Sequence, residues 1–252
     1  MRVSSTDCRW HEGIVTTEVR TITSWSYSRW AKYEECPFAA KCKFVDKLPE
    51  PQGPAAARGD DVHKKLESYL LSGGKLPAEA KQLKTFYAGL RKTRPAVELQ
   101  VAYDRAWKAV EWFSKAAWAR IKIDVLEPPV IGDDPPEVVI TDHKTGGIDK
   151  RTGKLKDQKE EEYLPQLQLY GLTGLMEHEI AERARAQLAF VDAGVVKPDK
   201  PVIFLRKEVP ALKKLWESRT KRMLSDTKFA PKPGFYCNYC AFAKKKGGPC
   251  PW

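Results

Sequence analysis

Long hydrophobic runs are missing from this sequence. No stretch approaches the roughly 18 apolar residues that a membrane-crossing helix needs, and Met1 to Trp10 lacks the apolar core of a secretory leader. The chain is therefore expected to be soluble and to work in a cytoplasm, bacterial or, for a phage-encoded chain, that of the host. Internal repeats are also missing, which excludes a solenoid. Biased patches are few and short: the proline-rich Leu48 to Pro54, the charged Lys150 to Glu162, and Lys244 to Gly248. None is long enough to link independent domains, so one compact unit with appended ends is expected. Acidic residues are scarce in one region. From Val195 to Trp252 there are four acids, Asp199, Glu208, Glu217 and Asp226, against 14 Lys and Arg, so this segment carries +10 of a total formal charge of +11.

What is present excludes disorder. The 252 residues are 42% hydrophobic and 31% charged, enough to bury a real core without help from a metal or disulfide. The basic segment attracts polyanions and makes nucleic acid the first partner to consider; a solvated lysine-rich surface is the plainer alternative. The six cysteines, Cys8, Cys36, Cys42, Cys237, Cys240 and Cys250, read in a cytosolic chain as metal ligands or buried thiols rather than a disulfide framework.

Ser24 or Ser26 can cap a helix running through Trp30 and Tyr33 towards Cys36-Pro37, where proline argues for a break or a fresh start. Helices also fit Ala55 to Leu71 and Ala78 to Arg91. The period then changes: Glu98 to Trp107, Ala117 to Leu126 and Glu137 to Lys144 favour strands. A helix from about Glu160 to Ile180 follows, with Pro165 near its start. Strands at Ala184 to Val191 and Pro201 to Arg206 and a helix at Pro210 to Asp226 complete the pattern. This order predicts an α/β fold with a mixed sheet flanked by helices.

Two acids end apolar strands, Asp124 after Ile121-Lys122-Ile123 and Asp142 after Val139-Ile140-Thr141. Alternation sets Asp142 and Lys144 on one face and His143 on the other. Two carboxylates on adjacent strands suit Mg²⁺ or Mn²⁺, and a lysine beside them can assist a metal-bound water or stabilise charge building on phosphorus. A salt-bridged strand end entering the Gly146-Gly147 turn is the structural alternative. His63 on an earlier helix, and Gln166 with Tyr170 four residues apart on one helix face, are weak signals singly.

In order, Gly59 to His63 (G-x-x-x-H), Asp124, Asp142 to Gly146 (D-x-K-T-G) and Gln166 to Tyr170 (Q-x-x-x-Y) resemble the motifs of the PD-(D/E)XK nuclease superfamily, in its RecB-type branch. The resemblance implies a restriction-endonuclease-like core. His63, Asp124, Asp142 and the backbone carbonyl of His143 would hold a divalent metal. Lys144 would be the catalytic lysine, and Gln166 and Tyr170 would position water or the DNA backbone. Glu98 corresponds to an acid present in some relatives. The Pro-Asp dipeptide of the superfamily name is absent.

Cys237-Asn238-Tyr239-Cys240 followed by Cys250 gives three closely placed sulfurs, and Cys36 is the obvious distant fourth, with Cys42 as its competitor. One upstream cysteine and three near the end resemble the 4Fe-4S staple of AddB-type nucleases and of the nuclease of CRISPR adaptation modules. That resemblance implies an iron-sulfur subdomain made of residues 24–46 and 228–252 around a catalytic core of 55–207; a four-cysteine zinc site is the alternative. The expected function is an Mg²⁺- or Mn²⁺-dependent deoxyribonuclease, an exonuclease acting on single strands or DNA ends in recombination, repair or phage DNA metabolism, with a helicase or recombination protein as possible partner. The alternatives are a non-catalytic DNA-binding module and a CRISPR adaptation nuclease. Aromatics in the basic tail (Trp216, Phe229, Phe235, Tyr236, Tyr239, Phe242, Trp252) and in the first helix (Trp25, Tyr27, Trp30, Tyr33) could stack on unpaired bases or could be core.

Overall fold

The computed structural model describes residues 20–252 apart from 131, 133, 150 and 158. Met1 to Trp10 and Cys8 lie outside the described residues. Helix α1 (Tyr27–Glu35) is capped by Ser26, whose Oγ accepts the Arg29 N–H at 3.3 Å. Pro37 cannot continue that helix, having no N–H to donate, but it fits the first position of α2 (Pro37–Phe44). Helix α3 (Pro54–Ser72) is followed by a 3-10 segment, Ala78–Leu83, that widens into α4 (Lys84–Lys92).

Among the described residues six strands form one sheet: β1 (Ala96–Tyr103), β2 (Ala109–Val110), β3 (Ala119–Glu127), β4 (Glu137–Lys144), β5 (Arg183–Phe190) and β6 (Val195–Leu205). Their order is β2-β1-β3-β4-β5-β6, and all neighbours are antiparallel except β4 and β5. That parallel pair needs a crossover, supplied by α5 (Leu164–Glu177). Helix α6 (Val209–Ser225) closes the α/β fold. No helix among the described residues is long and apolar enough to cross a membrane.

Alternation along β5 separates two cores. Ala184, Ala186, Leu188 and Phe190 join the larger one with α5 and α6, while Ala189 and Val191 meet Val62, Leu66, Tyr87 and Leu90 of α3 and α4. At the heart of the larger core Trp25 stacks on Trp216, with ring centroids 5.4 Å apart and planes 8° apart, and takes the edges of Trp107 and Trp118. The aromatics thus divide. Trp25, Tyr33, Trp216, Phe229 and Phe242 are core, whereas Phe235, Tyr236, Tyr239 and Trp252 are exposed.

Several boundaries differ from the sequence expectation. The strand expected to reach Trp107 stops at Tyr103, because Asp104 Oδ1 accepts the backbone N–H groups of Ala106 (2.8 Å) and Lys108 (2.9 Å) and folds the chain into a turn. The two-residue β2 beyond it has too little length to leave a periodic signal. Helix α5 starts at Leu164, with Pro165 in its first turn; the acidic residues before it form a 3-10 turn, Lys159–Tyr163. The strand expected at Pro201 begins six residues earlier, at Val195, because pairing with β5 outweighs the low strand propensity of Lys197-Pro198-Asp199.

Candidate active site

Where strands part, the acids meet. The β3–β4 ladder ends at the Val125–Thr141 pair; one step further the same register would face Asp124 with Asp142. Instead the carboxylate of Asp124 fills the gap, and its Oδ2 accepts the His143 backbone N–H at 2.8 Å. A second irregularity lies on the other side of β3. Glu98, in register with Asp124, has φ +54, a left-handed conformation that costs a non-glycine residue roughly 1–3 kcal/mol. Alternation slips there. Ile121, Ile123 and Leu99 belong to the larger core, but Val125 and Val97 pack under α3 and α4. Strict alternation would have kept Ile121, Ile123 and Val125 on one face.

The slip turns Glu98 and Asp124 towards α3. His63, Glu98 and Asp124 each offer a ligand atom, all within 4.8 Å of one another, and His63 Nδ1 stands 3.6 Å from Asp124 Oδ2. Helix α3 can approach because residue 59 is glycine: a Cβ there would lie 3.1 Å from Thr145 Oγ1. An ion pair unnoticed in the sequence holds that approach. Arg58 donates two hydrogen bonds to Asp192, at 2.6 and 2.8 Å, and Asp192 accepts the Gly146 N–H at 2.7 Å. Gly146 has φ +77, so the turn after Lys144 needs a residue without a Cβ. Asp192 belongs to no motif, so its role becomes visible only when β5 brings it beside the turn.

Asp142 and Lys144 face α5, as alternation requires. Asp142 is 2% exposed. Its Oδ1 accepts from Gln166 Nε2 at 3.0 Å; its Oδ2 lies 2.5 Å from Lys144 Nζ but has no hydrogen bond of acceptable geometry. Lys144 Nζ donates to Gln166 Oε1 at 2.8 Å and sits 4.3 Å from the Tyr163 ring centroid. Gln166 Nε2 also donates to the Tyr170 hydroxyl at 2.8 Å. The glutamine amide therefore bridges acid, amine and phenol.

The site residues expected from sequence converge, with one rearrangement. The tightest group pairs His63 and Asp124 with Glu98, and Asp142, expected in the triad, is not part of it. His143 points the other way, its ring 5.7 Å from that of His63 and its Nδ1 3.2 Å from the Tyr87 hydroxyl, a neighbour the sequence did not signal.

Burial governs the protonation of the cluster. It raises Asp142 to about 6 against the pull of Lys144, with Asp124 adding repulsion. It raises Asp124 too, opposed by His63 and by the His143 N–H. Burial, with His63 next, lowers His143 to about 3, so this imidazole stays neutral at physiological pH. It lifts Tyr170 well above the usual phenol range, leaving it a hydrogen-bonding group. Two buried acids that resist ionisation, one with an orphaned oxygen, are a receptor for positive charge. An imidazole nitrogen with carboxylate oxygens suits a divalent ion such as Mg²⁺ or Mn²⁺.

The cysteines gather elsewhere. Cys36, Cys237, Cys240 and Cys250 line one cavity of about 100 Å³. Cys42 is buried beside it, its thiol pushed up to about 11 by burial, and does not line it. The backbone N–H groups of Lys232 and Gly234 donate to the sulfurs of Cys36 and Cys237, each at 3.4 Å. Among the described residues no three cysteine sulfurs lie within 4.8 Å of one another.

A family model described as the PD-(D/E)XK nuclease superfamily matches residues 24–122 and 120–244. Among solved structures, SSO0001 is similar at 16% identity and a TM-score of 0.46, over 93% of this chain and 89% of its own. A candidate exonuclease from Eubacterium rectale is similar at 14% identity and a TM-score of 0.48, over 86% and 87%. No curated protein matches the sequence significantly.

Proposed function

The chain belongs to the PD-(D/E)XK nuclease superfamily, and from that premise we propose that it is a divalent-metal-dependent deoxyribonuclease, an exonuclease acting on single strands or DNA ends. The observation that carries the reading is the convergence of His63, Glu98 and Asp124 beside Asp142, Lys144 and Gln166. His63, Asp124 and Asp142 would hold the ion, with Glu98 joining them and the His143 carbonyl as a further ligand. A bound divalent cation supplies Lewis acidity towards a phosphate oxygen and makes water acidic enough to act at neutral pH.

The protein's own groups do the rest. Gln166 fixes both Asp142 and Lys144, so the ammonium is aimed before substrate arrives. Charge developing on the phosphorus-bound oxygens can be met by Lys144 in a site largely closed to water, where such stabilisation is strongest. Water attacks phosphorus, the P–O bond to the leaving sugar oxygen breaks, and no bond to the protein forms. Tyr170 supports Gln166 and the strand path.

The cysteine cavity is read as a structural 4Fe-4S site held by Cys36, Cys237, Cys240 and Cys250, tying residues 24–46 to 228–252. Two sulfurs that already accept backbone N–H groups support thiolate ligation. Cys36 rather than Cys42 is the upstream ligand, since only Cys36 lines the cavity. The likeness to the iron-sulfur nucleases also makes a helicase or recombination protein the expected partner.

The test is cleavage of single-stranded, double-stranded and flapped DNA by the metal-loaded protein and its Asp142→Ala variant. Mn²⁺-stimulated digestion lost in the variant is the expected result. Equal background in both, with DNA binding retained, would leave a DNA-binding module in place of an enzyme.

A further inference from the structure

Beside the acids lies a second cavity, of about 290 Å³, between the start of α1 and β3. It opens next to the catalytic groups, since Gln166 and Tyr170 form part of its wall. The rest includes Arg29, Arg120, Tyr27 and Trp112, and no acidic residue lines it.

The two guanidinium groups share one hydrogen-bond partner. Both converge on one neutral oxygen: Arg29 Nη1 donates to Ser24 Oγ at 2.7 Å, and Arg120 Nη1 donates to it at 2.9 Å. Their other bonds go to backbone carbonyls, those of Ser24, Trp112 and Ser114. Among the described residues neither arginine has a carboxylate within 4.0 Å. Two half-buried like charges on one serine repel each other, and burial together with Arg120 lowers Arg29 below the usual guanidinium range. An arrangement that costs the free protein energy makes sense when an anion completes it. Guanidinium groups match phosphate oxygens in shape as well as charge. The tyrosine and tryptophan beside them offer faces for a base or sugar.

We propose that this cavity seats one nucleotide of the substrate strand next to the scissile bond, with its phosphate on Arg29 and Arg120 and its base or sugar against Trp112 or Tyr27. The inference deepens the nuclease reading, and rests on it for the identity of the ligand. It names a strand-binding subsite on the first helix and β3, away from the basic tail that the charge distribution had suggested. A pocket that holds a single nucleotide cannot take paired bases, so the strand must enter unpaired.

Binding is measured in EDTA, where no cleavage can occur, by anisotropy of a labelled single-stranded oligonucleotide over a range of salt concentrations. Arg29→Gln and Arg120→Gln are each expected to weaken binding about tenfold or more. The slope of log affinity against log salt should fall by about 0.7 for each phosphate that the protein no longer neutralises. A purely structural arginine would lower the melting temperature and leave that slope unchanged, and an unchanged slope in folded variants overturns the proposal. A second measurement needs no variant: a strand carrying 5-bromodeoxyuridine is irradiated with the wild-type protein and the linked peptide mapped. Cross-links at Trp112 or Tyr27 support the subsite, while cross-links confined to Phe235, Tyr236, Tyr239 or Trp252 overturn it. Comparing 5′-phosphorylated, 3′-phosphorylated and hydroxyl-ended strands then separates the phosphate sources. Tighter binding of one phosphorylated end, abolished by Arg29→Gln, marks a terminal phosphomonoester; equal binding of all three, still sensitive to Arg29→Gln, marks an internal phosphodiester. Binding that survives without any Mn²⁺-dependent cleavage would refute the nuclease reading and leave the subsite standing. Cleavage with an arginine-independent salt slope would do the reverse.

Discussion

Metal affinity should depend steeply on pH below neutrality, and the buried state of Asp142 sets where. Its acid constant is lifted from the ordinary 3.8 to about 6, so the charged form is disfavoured in the metal-free protein by about 3 kcal/mol. The proton is bound more tightly in the folded than in the unfolded chain. This group's contribution to stability is therefore full below pH 3.8 and is lost as the pH rises through about 6. A cation reverses the balance by binding only the deprotonated carboxylate. At pH 5 only about a tenth of Asp142 is ionised and at pH 7 about nine-tenths, so apparent affinity for Mn²⁺ should be about tenfold weaker at pH 5, with Asp124 steepening the fall. His143, lowered to about 3, releases no proton in this window. Titration calorimetry in two buffers of different ionisation enthalpy reads the effect directly: about half a proton from Asp142 is released per Mn²⁺ at pH 6 and almost none at pH 8. Affinity that is flat from pH 5 to 7, or an Asp142→Asn variant with the same pH profile as wild type, would refute this reasoning.

Other perturbations have equally definite outcomes. Lys144→Ala should lower the rate of DNA cleavage by about 10²–10³-fold with little change in DNA affinity, read in single-turnover assays, because the ammonium acts on charge that develops during reaction. Gly59→Val should push α3 away from Thr145 and weaken Mn²⁺ binding through His63 while the far-ultraviolet circular dichroism stays native; unchanged affinity would show that the close approach has no role in the site. Trp216→Ala removes the partner stacked on Trp25 and should cost about 3–5 kcal/mol of stability by chemical denaturation. Anaerobically purified protein should show a broad absorbance band near 400 nm that Cys36→Ser abolishes and Cys42→Ser keeps; colourless protein containing zinc would overturn the iron-sulfur reading.

Element types were largely legible along the chain because they follow from local chemistry. Pro37 marked the break after α1, Pro210 fell in the first turn of α6, and the run from Glu137 to Lys144 marked a strand. Short-range turn chemistry was less visible: the Asp104 side chain ended β1 early, and β2 has only two residues. The site was legible to the extent that it follows alternation. Asp142 and Lys144 face α5 together, His143 faces away, and Gln166 and Tyr170 share a helix face, all from periods of two and 3.6.

Where alternation fails, only the folded chain decides. The left-handed Glu98 and the parting of β3 from β4 turn Glu98 and Asp124 to His63, and no residue pattern announces either event. The Arg58–Asp192–Gly146 bridge and the meeting of Arg29 and Arg120 on Ser24 likewise join positions up to 134 residues apart. Sequence by itself determined on which elements the candidate side chains ride, since periodicity and backbone propensity are local. Tertiary structure decided which of them touch and which charges are left without partners, because those energies depend on distance and burial, and both exist only once the sheet has formed.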